Sequence, residues 1–197
     1  MGDPKFLRRT YDAPKHPWEA ARMEEERKIV QKYGLKNKRE LWKAQAILRG
    51  FRRQARDLQA RLRAGEAQAQ LETDGLVGRL TRLGLLSAGS STLDDVLALG
   101  IEDVLGRRFE WIVVQRSLAG TPHGARQMIV HGHLAIGGRR MTRPGYFVPA
   151  SDEGRIAYTP TSPVVSDEHP IRVALRERLA AHGSEPGPSD GPAPPEG

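Results

Sequence analysis

The sequence contains no cysteine, which removes disulfides, thiol nucleophiles and cysteine-ligated zinc together. It has no run of about 18 apolar residues, so no segment is expected to span a bilayer. The opening residues carry Asp3, Lys5, Arg8 and Arg9, and no apolar stretch follows them, so no secretory signal is expected and a cytosolic compartment is the default. Lysine is absent beyond Lys43. A Walker loop, a Gly-x-Ser-x-Gly elbow and a glycine-rich dinucleotide fingerprint are all missing. The chain is therefore not expected to be an enzyme or to hold a cofactor.

What is present is positive charge, unevenly spread. At 197 residues the chain has room for one ordinary domain or two small ones. Hydrophobic residues make up 38% and charged residues 28%, a balance that favours a modest core under much solvated surface. The net charge of +7 divides into +10 over residues 1–65, −5 over 66–103, +6 over 104–150 and −4 over 151–197. Two basic blocks flanking an acidic one suggest two surfaces facing a polyanion, although an unevenly charged solvated surface gives the same sum. Arginine supplies 24 of the 31 basic residues. Its planar fork suits phosphate, donating two parallel hydrogen bonds.

The first 15 residues, with Pro4 and Pro14 among basic side chains, read as an extended arm. His16-Pro17-Trp18 predicts a helix entrance, because proline at the first helical position gives up an N–H that has no partner anyway. That helix is expected to end near Tyr33-Gly34. From Lys38 to about Ala64, Leu41, Ala44, Leu48, Phe51, Ala55, Leu58 and Leu62 recur at spacings of three and four, the signature of an amphipathic helix. Lys43, Arg49, Arg52, Arg53, Arg56, Arg61 and Arg63 surround the stripe, which is too alanine-diluted for a membrane-surface helix. Residues 76–86 predict a further helix, Ser87–Ser91 a turn, and Thr92 with Asp94 and Asp95 a capped helix start. Gly100 ends that helix, and Ile101–Leu105 begins another.

Beyond Gly106 the texture changes. Phe109 to Arg116 is read as a helix, though its Trp-Ile-Val-Val run suits a strand equally by periodicity. Thr121 caps and Pro122 opens a helix that Gly132 stops, with Met128 and Ile129 inward. Leu134-Ala135-Ile136, Gly137-Gly138 and Arg139-Arg140-Met141 form a two-residue hairpin, and Tyr146-Phe147-Val148 a third short strand after the Pro144-Gly145 turn. The expected fold class is α+β: a basic helical N-terminal domain over 1–103, then a small α/β module of two helices and a short antiparallel sheet over 104–170. A short C-terminal helix (171–182) and a disordered Pro/Gly-rich tail (183–197) complete the chain.

Gly106-Arg107-Arg108, Val114-Gln115-Arg116, Thr121-Pro122, Ala125-Arg126-Gln127-Met128-Ile129-Val130-His131-Gly132-His133, Gly138-Arg139-Arg140 and Pro144-Gly145-Tyr146 together resemble the S-four RNA-binding domain. Lys32-Tyr33-Gly34-Leu35-Lys36-Asn37-Lys38-Arg39-Glu40-Leu41-Trp42-Lys43 is similar to the N-terminal part of the archaeal and eukaryotic type of the ribosomal S-four family. The resemblance covers roughly residues 1–170. It implies a ribosomal protein, without catalytic activity or cofactor, that binds the 5′ domain of small-subunit ribosomal RNA and nucleates its assembly. Neighbouring small-subunit ribosomal proteins and messenger RNA near the entry path are the implied partners, with no membrane. Departures are Ser117, where the family usually has glycine, and Gly137, where it has asparagine. Bacterial members often carry a zinc-binding cysteine cluster, for which this chain has no residues.

Candidate RNA-binding residues follow. Arg126 stands with backbone N–H groups at a helix start. Arg139 and Arg140 follow a glycine turn that lets the backbone approach a strand. His131 and His133 flank Gly132 and can donate to phosphate or 2′-hydroxyls. The family pattern adds Arg107, Arg108, Gln115, Arg116, Thr121, His123, Gln127 and Arg143 in the module. Its N-terminal block also adds Lys36, Lys38, Arg39 and Lys43, while Arg49, Arg52, Arg53 and Arg56 come from the charged face around the stripe that begins at Leu41. A metal site at His123, His131 and His133 is disfavoured, since no carboxylate or thiol lies near them in sequence. The same module serves as an accessory in RNA-modifying enzymes and in tRNA synthetases, which need a catalytic domain that the residues after Val148 are too few to form. A rescue or stress factor on this module is usually shorter, and a DNA-binding protein remains an alternative that binding competition separates.

Overall fold

A computed structural model describes residues 9–87 and 92–183. Most of the expected arm, most of the Ser87–Ser91 turn and nearly all of the tail lie outside the described residues. The chain order is α1 (Ala20–Lys32), α2 (Lys38–Arg63), α3 (Ala67–Arg82), α4 (Leu93–Ala98), α5 (Ile101–Gly106), α6 (Phe109–Gln115), α7 (Pro122–His131), β1 (Leu134–Ile136), β2 (Arg139–Arg140), α8 (Ala150–Glu153), β3 (Ile156–Tyr158) and α9 (Pro170–Gly183). A 3₁₀ turn at Pro163–Val165 precedes α9. The architecture is α+β, with helices first and a three-stranded antiparallel sheet of order β2-β1-β3 near the end. Among the described residues no helix is long and apolar enough to cross a membrane.

α2 organises the first half. Asn37 caps it by accepting the Glu40 N–H at 3.1 Å, and Leu41, Ala44, Leu48, Ala55 and Leu58 are buried against α1, α3, α4 and α5. This cluster runs from Tyr33 to Leu105. A second cluster runs from Phe109 to Val164, with Ile112, Ile129, Leu134 and Val148 at its centre. Trp111 and Phe147 belong to the second half in sequence but pack on the first cluster. Thr92 and Asp95 close a reciprocal capping box at α4, and Gly132 ends α7 in the left-handed region. The Gly137-Gly138 turn takes positive φ at both positions (56° and 81°), the requirement of the tight hairpin turn that joins β1 to β2.

Three expectations are corrected, and one element comes in addition. Tyr146–Val148 is not the third strand; β3 is Ile156–Tyr158, in register with β1 through Ala135↔Ala157. The backbone of 144–148 serves α6 instead. Tyr146 O accepts from Phe109 N at 2.7 Å, Pro144 O accepts from Glu110 N at 3.2 Å, and Val148 N donates to Arg107 O at 3.1 Å. The N–H groups of a helix's first turn have no partner within the helix, and this segment supplies acceptors for two of them. α1 begins at Ala20, leaving Trp18 87% exposed. α3 begins at Ala67 and ends at Arg82 rather than covering 76–86, its glycines at 75 and 78 carried by packing of Ala69, Leu76 and Leu80. The one-turn helix α8 was not anticipated.

Ser117 has φ 54°, the only positive φ at a non-glycine position among the described residues. It follows α6 at the departure from the family pattern noted above. A left-handed residue is where glycine carries no Cβ penalty, so glycine would relieve the strain that Ser117 bears here.

Candidate nucleic-acid interface

The exposed side of α2 is a cationic face. Arg39, Lys43, Arg53 and Arg56 stand exposed opposite the buried stripe, and Lys36 is exposed just ahead of the helix. Among the described residues none of these five side chains has an ion-pair or hydrogen-bond partner. Arg49 reaches Asp12 at 3.2 Å, but both side chains are more than half exposed, so the pair is weak. Two expected members of the face turn inward. Lys38 Nζ lies 3.1 Å from Glu26 Oε2, and Arg52 donates to the Leu99 carbonyl.

Between the two halves lies a four-residue charge cluster. Arg126 on α7 donates Nε and Nη2 to the two carboxylate oxygens of Glu110 at 3.0 and 2.9 Å. The same guanidinium donates Nη1 and Nη2 to Glu40 at 3.2 and 2.7 Å. Arg108 Nη2 donates to Glu40 at 2.8 Å and lies 3.7 Å from Glu110. The Glu110 side chain is 1% exposed and that of Arg108 7%. Two arginines and two carboxylates thus neutralise one another out of water, as buried charges must. Burial pushes the Glu110 carboxyl up to about 7 against the pull of Arg126 and Arg108, with the Glu40 charge pushing the same way as burial. Burial also acts to raise Glu40, but the Arg126 hydrogen bond and the Arg108 charge outweigh it and hold that carboxyl below its ordinary value. Arg108 and Arg126, both expected to contact RNA, are engaged within the protein, Arg126 through all three guanidinium nitrogens and Arg108 through Nη2.

The turn before α2 completes this seam. Gly34 has φ +64°, and a Cβ there would stand 2.4 Å from Pro122 Cβ and 3.3 Å from Glu110 Oε1, so only glycine lets the turn touch the start of α7. Beside it Tyr33 packs on Trp111 with ring centroids 4.5 Å apart, and Tyr33 Oη donates to Glu102 at 3.1 Å.

The remaining module residues fall into two groups. Arg107 is held by Glu153 at 2.9 Å and the Val148 carbonyl at 2.9 Å, and Arg116 donates to the Glu153 carbonyl. The Thr121 hydroxyl accepts from Gly124 N at 3.1 Å as the α7 cap. His133 Nδ1 is 2.8 Å from Ser162 Oγ, and its ring centroid is 6.2 Å from that of His131. Arg140 folds back over Gly132, 3.4 Å from the His131 carbonyl. In the second group Gln115, His123, Gln127, Arg139 and Arg143 are exposed with no side-chain partner among the described residues. Lys43 of α2 and Arg143 of the module line one open groove of about 390 Å³, together with Glu40 and Arg108. The two halves therefore contribute free cations to a common surface.

Comparison with known proteins identifies the fold's family. The S4 domain matches residues 107–153, which span α6 through α8. The small ribosomal subunit protein uS4 of Thermoplasma acidophilum is 52% identical over 175 residues, covering 89% of this chain and 87% of that protein. The protein of the same name from Methanococcus aeolicus is 48% identical over 172 residues, covering 87% and 96%, and that of Sulfurisphaera tokodaii is 48% identical over 170 residues, covering 86% and 93%. The chain belongs to the uS4 family.

Within this uS4-family chain, the Lys32–Lys43 block read as a family marker supplies Tyr33, Gly34 and Glu40 to the seam. Sequence reasoning missed Glu40 and Glu110 as the partners of two expected RNA-binding arginines. The available signal was Glu110 itself, a lone carboxylate in the apolar run Phe109 to Val114. Arg178 on α9, which the sequence did not single out, lines a groove with Thr121, Gln127, His131 and His133. Nothing in a short terminal helix marks one arginine over its neighbours before the docking of that helix is known.

Proposed function

We propose that this protein is a structural component of the small ribosomal subunit that binds ribosomal RNA directly and performs no catalysis. Family membership supports the reading, as does the observation that carries it: exposed, unpartnered cations on α2 (Lys43, Arg53, Arg56) and on the module (Arg139, Arg143) stand on either side of a buried seam. Cations left unpaired at a surface are those available to displace counterions from a phosphate backbone. The finer reading is binding to the 5′ domain of small-subunit ribosomal RNA early in assembly, near the messenger entry path. It places the protein beside other small-subunit proteins, in the cytoplasm as part of the ribosome, with the module at 104–170 and the helical domain at 1–103 as the two RNA-facing units. It rests on the S-four resemblance together with this arrangement of charge.

The test is a salt series of binding to a 5′-domain fragment, in competition with scrambled RNA and duplex DNA. The fragment is expected to be preferred at every salt concentration. Removing Lys43 and Arg143 together by glutamine is expected to lower the slope of log affinity against log salt by about 1.4–1.8, since each phosphate contact contributes about 0.7–0.9. Equal affinity for all three polymers would refute the specific reading, and an unchanged slope would refute the assignment of those two residues.

A further inference from the structure

We infer that the groove between α7 and α9 accepts a single unstacked RNA nucleotide, its phosphate held by Arg178 and its base lying between the two helices. The inference rests on the proposed RNA-binding function and adds to it a site that α9, beyond the S4-domain match at 107–153, completes against α7 within that match.

The first observation is which arginine of α9 is free. Arg172 and Arg176 both reach the same Asp167 oxygen at 2.8 Å, and Arg172 also lies over the Tyr158 ring, 5.1 Å from its centroid. Arg178 has no partner among the described residues. Its Nη1 lies beside the loop before α7, 3.4 Å from where a Cβ on Gly120 would stand. An exposed cation held against backbone and matched by no carboxylate is available to an external anion.

The second observation is the groove beside it, about 380 Å³ in volume, within the roughly 300–1,000 Å³ common for small-ligand sites. Met128 and Leu175 form a buried floor. Ala174 and Ile171 line the α9 side, and no carboxylate lines the groove. Ile171 remains 45% exposed although it faces this cleft. The polar lining comes from Gln127, whose amide both donates and accepts, and from His133, whose Nδ1 is engaged by Ser162 at 2.8 Å while Nε2 has no partner among the described residues. An apolar floor, a few hydrogen-bonding groups and one unpaired arginine at the rim match the parts of a nucleotide: base face, base edge and phosphate. Sequence-specific RNA recognition uses bases splayed from loops and bulges in this way, since the deep, narrow major groove of an RNA duplex keeps side chains from the base edges that distinguish sequence.

The experiment uses the full chain and the 5′-domain ribosomal RNA fragment, with melting temperatures recorded for every variant. Arg178→Gln is expected to weaken binding about five- to tenfold and to lower the salt slope by about 0.7–0.9, the contribution of one phosphate. Ala174→Trp fills the groove at an exposed helix position without removing charge. It is expected to weaken binding by a similar factor with the slope unchanged, and Gln127→Leu gives an independent route to the same loss. Arg176→Gln, whose guanidinium is held by Asp167, is expected to bind as the unaltered protein does. Unaltered affinity in the groove-filling variants overturns the inference, whether or not Arg178 contacts a phosphate. If the unaltered protein shows no preference for the fragment over duplex DNA, it is the proposed function that fails.

Discussion

Replacing Arg126 by alanine separates an RNA contact from a structural one. Arg126 supplies four hydrogen bonds to Glu40 and Glu110. Without it Glu110, 1% exposed, retains only Arg108 at 3.7 Å. Removing one partner from a buried ion pair costs about 3–5 kcal/mol, because the other charge is stranded. For a chain of this size each kcal/mol lowers the melting temperature by roughly 2–4 °C, so the expected loss is about 6–20 °C. The pH dependence gives a second handle. Arg126 pulls the Glu110 carboxyl down against burial, so its removal lets that carboxyl rise further above 7. The destabilisation is therefore largest at pH 8, where ionising Glu110 strands a charge, and shrinks towards pH 5, where Glu110 holds its proton. Adding Glu110→Gln to the Arg126→Ala chain is expected to recover a substantial share of the loss at pH 8. Calorimetry from pH 5 to 8 reads all three effects. A melting temperature unchanged by Arg126→Ala, accompanied by lost RNA binding, would show that the guanidinium serves RNA and that the seam carries no stability.

Two further outcomes follow from the same geometry. Glu110 in the folded protein titrates near 7 against an ordinary value of 4.5, so folding takes up a proton at this site. Its contribution to stability is present below pH 4.5 and is lost as pH rises to 7, on the order of 3 kcal/mol. Glu40, held low, contributes in the opposite sense, losing stability as pH falls below about 4.5. Urea titrations should accordingly show Glu110→Gln gaining on the unaltered protein between pH 4.5 and 7, and parallel pH curves for the two would refute the raised carboxyl. Ser117→Gly should stabilise the fold by up to about 1 kcal/mol, since φ 54° costs a side chain roughly 1–2 kcal/mol, partly offset by glycine's freedom in the unfolded chain. A loss of melting temperature in this variant would mean the Ser117 side chain makes a contribution larger than its strain.

Periodicity and punctuation made much of the fold legible. The three-four spacing from Leu41 to Leu62 marks α2 because a helix turning every 3.6 residues must put those positions on one side. Thr121-Pro122 and Gly132 bracket α7, and Gly137-Gly138 marks the hairpin, since each residue type meets a backbone demand at its own position. The third strand was misplaced for a non-local reason. Tyr146-Phe147-Val148 has good strand propensity, but its carbonyls are claimed by the unpaired N–H groups of α6, and β1 takes Ile156–Tyr158 on its free edge instead. Local sequence does not record which of two competent segments reaches an edge first. The candidate site divides in the same way. Exposed cations such as Lys43, Arg53 and Arg139 follow from helix phase and turn position, whereas the commitment of Arg108 and Arg126 depends on Glu40, 68 and 86 residues away in the chain.

That commitment gives the family marker a physical meaning. Gly34 touches Pro122, Tyr33 packs on Trp111, Asn37 caps α2, and Glu40 at that helix's first turn gathers both arginines. Gly34 and Glu40 thereby tie the start of α2 to α7, and Tyr33 ties it to α6. If the proposed function holds, phosphate contacts on α2 and on the module must be made by one RNA at once. Holding the two cationic surfaces in a fixed relation before binding spares the complex the entropy of bringing them together. A block of sequence rich in basic residues can thus mark an RNA-binding family chiefly through its uncharged and acidic members, which set where the cations stand.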